Sequence, residues 1–262
     1  MYAKMQIFII GCGKIGSAFA KVLAPHFNVL LYNRSFEKAQ ALAKETQSEA
    51  VSLQTGLSEA NFAILAFKPK DLKEFSSNLP SLEDPSTIFL STLAGTSLST
   101  LETLLPSYTH IRVMPNLPLS VGAGALGLTT TMELTTQQRE NIEKLFAPCG
   151  KSFWLSEAKL EAFTPLAGSG PAFIATIIES MAEAGIAMGL SAEESLEITL
   201  QTMKGVVNVV QEVGKHPAEL RWDTCSPGGV SIAGVRRMEA KGLRSAVIES
   251  FLATYEALLK DK

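Results

Sequence analysis

The chain has 262 residues, of which 46% are hydrophobic and 19% are charged, and its net charge at pH 7 is −3. This composition is typical of a globular protein with one large or two modest domains, and it excludes an intrinsically disordered chain. Because the charge is small and Lys and Arg are not clustered, we expect neither nucleic acid nor a membrane surface as a partner.

Three widely spaced cysteines, Cys12, Cys149 and Cys225, form neither a disulfide framework nor a metal-ligand cluster. We therefore expect a reducing compartment and no bound metal. The apolar stretch from Ile7 to Ile10 is too short for a signal peptide, and no apolar run reaches the roughly 18 residues of a membrane span. The sequence thus predicts a cytoplasmic protein.

The first part of the chain alternates short apolar strands with amphipathic helices. Strands are predicted at Met5–Ile10, Asn28–Tyr32, Phe62–Phe67, Ile88–Ser91, Ile111–Met114, Ala125–Thr129 and Ser152–Leu155. Helices are predicted at Ile15–Ala24, Phe36–Thr46, Leu98–Leu105 and Thr136–Phe146. Continuous apolar strands separated by such helices require a mostly parallel sheet that is covered on both faces.

After about residue 160 the sequence has helical periodicity only. Helices are predicted at Thr164–Gly189, Ala192–Val213 and Leu243–Lys260, the second opened by a capping box of Ser191 and Glu194. Their apolar stripes and small residues suit either an ordinary core or close packing against a second subunit. We expect an α/β Rossmann domain with a doubly wound sheet over residues 1–158, followed by an all-α domain over residues 159–262.

The hexapeptide Gly11-Cys12-Gly13-Lys14-Ile15-Gly16 follows the first strand and opens the first helix. The first glycine permits the tight turn, the second lets the backbone approach a pyrophosphate, and the third lets the helix pack on the strand. The helix N-terminus attracts the phosphates. In this context the motif predicts dinucleotide binding rather than a merely structural turn.

The second predicted strand ends in Tyr32-Asn33-Arg34-Ser35, without the acid that binds the ribose hydroxyls of NAD. Arg34 offers a charged fork to a 2′-phosphate, and Asn33 and Ser35 offer further donors. The alternative is that Arg34 is a solvated loop charge and Ser35 a helix N-cap. We favour NADPH as the coenzyme, with NADH as a weaker donor.

Two further segments follow strands at the edge of the sheet where ligands bind. They are Ala66-Phe67-Lys68-Pro69 and Met114-Pro115-Asn116. Their prolines hold the backbone extended, which can expose carbonyls and amides to a nicotinamide ring, although plain loops explain them equally well.

A strong acid or base for alcohol chemistry is missing from the sequence. We place His26 and His110 before strands, at the edge away from the ligand, and His216 in a turn between helices. No tyrosine has a lysine four residues on, and the helix opened by Gly168–Ala175 carries no lysine. A protonated imine as substrate would not need such a residue, because its carbon is already electrophilic and no alkoxide develops.

Several motifs resemble those of the pyrroline-5-carboxylate reductase family, in the same order along the chain. They are Lys68-Pro69, Ala94-Gly95, Arg112–Pro118 continued by Val121–Gly124, Ala167–Phe173, and Cys225–Gly234 with its Ser-Pro-Gly-Gly. The resemblance implies NADPH-dependent reduction of 1-pyrroline-5-carboxylate to L-proline, the last step of proline biosynthesis. It also implies that the helical domain binds the substrate and pairs with a second copy, giving a homodimer or a larger oligomer built from dimers.

The resemblance places the substrate at Ser226, Gly228, Gly229, Val230 and Ser231. Backbone amides of Gly228, Gly229 and Val230 would bind the carboxylate, as the N–H groups of a turn leading into a helix can. Ser231 would be the catalytic residue, with its hydroxyl near the ring nitrogen; the alternative is a first-turn serine that bonds only its own backbone. The family commonly has Thr-Thr where this chain has Val230-Ser231, and Ser where it has Ala167.

Two other functions stay open. One is reduction of a different cyclic imine or a small carbonyl, which the Val230-Ser231 pair makes worth testing. The other is a catalytically silent NADPH-binding regulator, against which the second glycine-rich turn argues, since a sensor has no use for it.

Overall fold

The computed structural model of the chain describes residues 5–80 and 86–260. The chain divides into two compact units, the first ending at Gly168 and the second beginning at Ser169. The predicted border between residues 158 and 159 lies before this division. That this border also separates a dinucleotide-binding domain from a substrate-binding and dimerisation domain stays a prediction.

The first unit contains an eight-stranded sheet in the order β3-β2-β1-β4-β5-β6-β7-β8. The strands are β1 (Gln6–Ile10), β2 (Asn28–Tyr32), β3 (Glu49–Ala50), β4 (Phe62–Leu65), β5 (Ile88–Ser91), β6 (Thr109–Met114), β7 (Gly124–Thr129) and β8 (Gly150–Trp154). All neighbours pair in parallel except β6 and β7, which are antiparallel. The chain order reverses beside β1, where β2 lies on one side and β4 on the other, and this is the switch point at which such sheets bind ligands.

Helices of the first unit are α1 (Lys14–Leu23), α2 (Phe36–Thr46), α3 (Leu53–Glu59), α4 (Leu72–Ser77), α5 (Leu98–Leu104), α6 (Thr136–Phe146) and α7 (Glu157–Phe163). Helix α7 stays with this unit because Leu160 and Phe163 lie against Gly127 of β7. Sequence periodicity missed β3, α3, α4 and α7, which are only two to seven residues long and show few turns or alternations.

The core confirms the prediction that helices cover both faces of the sheet. The last four residues of β1 are buried but face opposite sides of the sheet. Ile7 and Ile9 join the apolar cluster of α1, α2 and α6, whereas Phe8 and Ile10 join that of α3, α4 and α5. Burial on both faces is the reason why the strands read as continuous apolar runs rather than as alternating ones.

His110 lies inside β6, because this strand begins two residues earlier than predicted. Its ring is buried, and its Nε2 lies 2.7 Å from the carbonyl oxygen of Leu105. Desolvation lowers the pKa of His110. The ring is therefore neutral at pH 7, and it lies near the start of the strand, away from the carboxyl edge where ligands bind.

The second unit is helical, as predicted. Its helices are α8 (Gly170–Ala187), α9 (Ala192–Glu212), α10 (Pro217–Asp223), α11 (Val230–Ala240) and α12 (Leu243–Lys260). The capping box of Ser191 and Glu194 at the start of α9 is confirmed. The predicted helix from Thr164 begins instead as a π-helical turn, Thr164–Ser169. Within the described residues, no helix is both long and apolar enough to cross a membrane.

A buried hydroxyl ties β5 to the elements before β4. Thr87 is 2% exposed, and its Oγ1 lies 3.0 Å from the carbonyl oxygen of Leu57 and 2.8 Å from that of Ala60. Thr87→Val keeps the shape but leaves these acceptors without that donor, so we expect it to lower the free energy of unfolding by about 1–3 kcal/mol. Thr87→Ser keeps the hydroxyl and is the matched control. Chemical denaturation measures both, and equal losses in the two variants would contradict the hydrogen-bond account.

Candidate active site

The glycine-rich turn after β1 brings two backbone segments into contact. Gly11 has a φ of +109°, and a Cβ there would lie 2.6 Å from the carbonyl oxygen of Ala66 after β4. A Cβ on Gly16 would overlap the carbonyl oxygen of Gly11. Gly13 precedes α1 and has open space where its Cβ would be. The helix N-terminus therefore lies close to the sheet with its first amides beside an open space, which is what a pyrophosphate requires.

The segment after β2 is fixed to this turn by the side chain of Asn33. Its Oδ1 accepts a hydrogen bond from the amide of Cys12 at 3.1 Å, and its Nδ2 donates to the carbonyl of Ser35 at 3.1 Å. Both ends of the Asn33 side chain are thus used within the protein. Asn33 shapes the loop, whereas the side chain of Arg34 is exposed and Ser35 is half-buried.

A cavity of about 460 Å³ opens at the switch point between β1, β2 and β4. Of the predicted cofactor residues, those that line it are Gly11, Gly13, Asn33, Arg34, Ser35, Ala66, Phe67 and Lys68. The cavity therefore joins three segments that were predicted separately: the glycine-rich turn, the loop after β2 and the loop after β4.

The cavity also has lining residues that the sequence did not single out. They are Ile10, Tyr32, Lys38, Leu53, Lys70, Asp71, Glu74, Phe75 and Asn78. Four cations, Arg34, Lys38, Lys68 and Lys70, thereby share the lining with the carboxylates of Asp71 and Glu74. The excess of cations favours a phosphate-rich ligand. Lys38 follows Arg34 by four residues at the start of α2, so this spacing could have identified it.

The predicted cofactor role of the remaining residues of the glycine-rich motif stays a prediction. Cys12, Lys14, Ile15 and Gly16 are not among the residues that line this cavity, and neither is Pro69. Burial raises the pKa of the Cys12 thiol to about 11, so the thiol is protonated at pH 7. A protonated thiol is a poor nucleophile, which leaves no covalent role for Cys12 in the turn.

The loop after β6 is held by the side chain of Asn116, outside the lining of this cavity. Asn116 Nδ2 donates to the carbonyl of Ala167 at 2.9 Å, and Oδ1 accepts from the amide of Ala125 at 2.9 Å. Ala167 belongs to the π-helical turn, whose altered spacing leaves backbone groups in need of partners. Of the predicted segment Met114-Pro115-Asn116, the Asn116 side chain thus braces the protein, and the Asn116 backbone carbonyl accepts the amide of Leu119 at 3.1 Å. A contact of this segment with the coenzyme ring stays a prediction.

The Ser-Pro-Gly-Gly segment forms a tight turn at the start of α11 in the second unit. Gly228 has a φ of +70°, and the amide of Gly229 donates to the carbonyl of Ser226 at 3.0 Å. The Gly229 amide, predicted to bind the carboxylate, is thus used to close the turn. Val230 and Ser231 are the first residues of α11 and are exposed, so their amides belong to the first turn, which has no intrahelical acceptors.

Two family models match this chain. Residues 157–260 match the model described as pyrroline-5-carboxylate reductase dimerisation, and residues 6–95 match the model described as NADP oxidoreductase, coenzyme F420-dependent. The first of them spans the helices of the second unit, and the second spans the glycine-rich turn and the loops after β2 and β4.

Known proteins are similar to the chain over nearly its full length. It is 33% identical to the pyrroline-5-carboxylate reductase of Aquifex aeolicus, over 98% of this chain and 97% of that one. A solved pyrroline-5-carboxylate reductase structure from Coxiella burnetii matches with 27% identity and a TM-score of 0.86, covering 98% of both chains. The structure of Plasmodium falciparum pyrroline carboxylate reductase with NADP bound matches with 25% identity and a TM-score of 0.81, covering 97% of both chains.

The contact between α1 and the turn can be tested with two glycine substitutions. Gly16→Ala places a methyl group against the carbonyl of Gly11, so we expect it to lower the free energy of unfolding by about 1–3 kcal/mol and to weaken NADPH binding at least ten-fold. Gly13→Ala has open space for its methyl group, and we expect a change in stability below about 0.5 kcal/mol. Thermal unfolding and coenzyme titration measure these effects, and equal stability of the two variants would contradict the close-contact account.

Proposed function

The chain belongs to the pyrroline-5-carboxylate reductase family, and on that premise we propose that it reduces 1-pyrroline-5-carboxylate to L-proline with NADPH. The observation that carries this proposal is the cavity at the switch point, which combines an intact glycine-rich turn with Arg34 in place of an acid after β2. The Ser-Pro-Gly-Gly turn before α11 would supply a second anion site, for the substrate carboxylate.

The residues of the first unit fit a phosphorylated dinucleotide. The open side of Gly13 and the first amides of α1 would receive the pyrophosphate. Arg34, Ser35 and Lys38 would bind the 2′-phosphate, because a guanidinium, a hydroxyl and an ammonium are all donors to its oxygens. The backbones of Ala66–Pro69 and Met114–Asn116 would contact the nicotinamide. When bound, NADPH supplies the hydride.

The residues at the start of α11 would bind and orient the substrate. The amides of Val230 and Ser231 suit its carboxylate, and Ser226 lies in the same turn. Ser231 Oγ would hydrogen-bond the ring nitrogen as this changes from iminium to amine. The iminium carbon is electrophilic, and hydride addition neutralises its charge, so the site has to position the ring rather than to supply a strong base.

We further propose a homodimer, or a larger oligomer of dimers, working in the cytoplasm. In the described part of the second unit, residues 169–260, no large apolar side chain is fully buried, and Leu196, Ile198, Leu200, Val206 and Val207 are each exposed. Helices with this much uncovered apolar surface gain stability by packing against another subunit. A reducing compartment suits the three free thiols of Cys12, Cys149 and Cys225.

The reaction is tested by following oxidation of NADPH with 1-pyrroline-5-carboxylate, with NADH as a parallel donor. We expect turnover with both donors and a higher kcat/KM with NADPH. Arg34→Ala removes the cation from the 2′-phosphate site, so it should lower kcat/KM for NADPH by about ten-fold and change that for NADH by less than two-fold. Equal losses with both donors would refute the role of Arg34. Turnover of only the six-membered cyclic imino acid would indicate that the substrate is a different imine. Coenzyme binding without any turnover would favour an NADPH-binding regulator.

The role of Ser231 is tested by two substitutions, one that removes the hydroxyl and one that keeps it. Ser231→Ala removes the hydrogen bond to the ring nitrogen, and we expect kcat to fall by roughly ten- to hundred-fold while KM for NADPH stays within two-fold. Ser231→Thr keeps a hydroxyl and should retain most of the activity. Full activity of Ser231→Ala would remove Ser231 from the mechanism and leave the rest of the proposal intact.

A further inference from the structure

Two of the predicted 2′-phosphate donors, Arg34 and Ser35, have carboxylate partners within the protein. Arg34 Nη1 lies 3.5 Å from Glu74 Oε2, and Ser35 Oγ donates to Glu37 Oε2 at 2.9 Å. Both carboxylates therefore hold the groups that a phosphate would need. The third predicted donor, Asn33, is used within the loop.

Glu74 is the carboxylate that lies at the cavity itself. It lines the cavity together with Arg34, although the two residues are forty positions apart and lie on different segments, the loop after β2 and helix α4. Side-chain exposure is 77% for Arg34 and 61% for Glu74, so water weakens their attraction. A weak pair of this kind opens readily when a stronger anion arrives.

A phosphate monoester is such an anion. It carries a charge of about −1.5 to −2 at pH 7 and has three acceptor oxygens, so it outcompetes a single carboxylate for a guanidinium. The Glu74 carboxylate must nevertheless be displaced from Arg34 first, and it then remains beside the phosphate as a like charge. An adenosine ribose without a 2′-phosphate neither displaces the Glu74 carboxylate nor is repelled by its charge.

We propose that Glu74 is a specificity-determining residue that competes with the coenzyme 2′-phosphate for Arg34 and so weakens the preference for NADPH over NADH. This inference rests on the proposed coenzyme site, but not on the identity of the imine substrate. The ion pair offsets part of the advantage that the 2′-phosphate gains from the four cations in the cavity lining. We therefore expect measurable binding of the coenzyme that lacks the 2′-phosphate.

Glu37 makes the poorer test of this competition. Its pKa is lowered by a hydrogen bond from its own backbone amide and by the Ser35 hydroxyl, so it stabilises the first turn of α2 as well as holding Ser35. Replacing Glu37 would change the helix start and the phosphate site together. Glu74→Gln keeps the size of the side chain and removes only its charge.

The experiment measures dissociation constants for adenosine 2′,5′-bisphosphate and for 5′-AMP by titration calorimetry at low salt. These probes differ only in the 2′-phosphate and require no turnover, so a failure of the proposed reaction leaves the test unaffected. We expect Glu74→Gln to tighten binding of the bisphosphate by about two- to five-fold and to leave 5′-AMP unchanged. The gain should shrink as salt is added, because the charges are exposed.

Two further variants separate competition for Arg34 from the general charge of the cavity. In an Arg34→Ala background the Glu74→Gln gain should fall below about 1.5-fold, because the double-mutant cycle isolates the pair. Asp71→Asn removes a carboxylate that lines the same cavity, but Arg34 forms its ion pair with Glu74. Asp71→Asn should therefore increase the bisphosphate affinity less than Glu74→Gln does. An unchanged bisphosphate affinity in Glu74→Gln, an equal gain for both nucleotides, a gain that persists without Arg34, or a gain as large in Asp71→Asn would each overturn the proposal.

Discussion

The coenzyme end of the molecule depends on a contact between two stretches of backbone. Helix α1 can start directly beside β1 only because Gly16 has no side chain between the helix and the carbonyl of Gly11, and because Gly11 fits against Ala66 after β4. This contact places the first amides of α1 at the point where the strand order reverses. The loops after β2 and β4 then meet the same helix end, and the cavity between them follows from the sheet order rather than from any single side chain.

The sequence predicted the parts of this arrangement that local chemistry determines. Continuous apolar strands, the spacing of Gly11, Gly13 and Gly16, and the absence of an acid after β2 identified the sheet and the coenzyme loops. Contacts between distant segments could not be predicted, because Arg34 and Glu74 meet only through the pairing of β2, β1 and β4. In the same way, nothing local indicated that Asn116 would use its side chain on Ala125 and Ala167.

For the second unit, the sequence predicted the helices but not which of their surfaces are buried. Its helices and the capping box of α9 follow from periodicity, yet its apolar stripes do not distinguish a core from a subunit interface. Burial shows that these stripes do not form a closed core within one chain, since the described helices of this unit keep residues such as Leu196 and Val207 exposed. The start of α11 was predicted in part. The Pro-Gly-Gly sequence predicted an anion-binding turn. Only the structure shows that the Gly229 amide closes this turn and that the amides of Val230 and Ser231 follow it.

In the proposed reaction, hydride passes from C4 of the nicotinamide to the imine carbon of 1-pyrroline-5-carboxylate, which becomes C5 of proline. The protein holds the coenzyme phosphates and the substrate carboxylate and supplies no strong base. The most direct test is to run the reaction with NADPH that carries deuterium at both hydrogen positions of the nicotinamide C4, and to analyse the product by NMR and mass spectrometry. The account predicts L-proline that carries one deuterium, at C5. Deuterium at another carbon, or L-proline without deuterium while the labelled coenzyme is consumed, would contradict it.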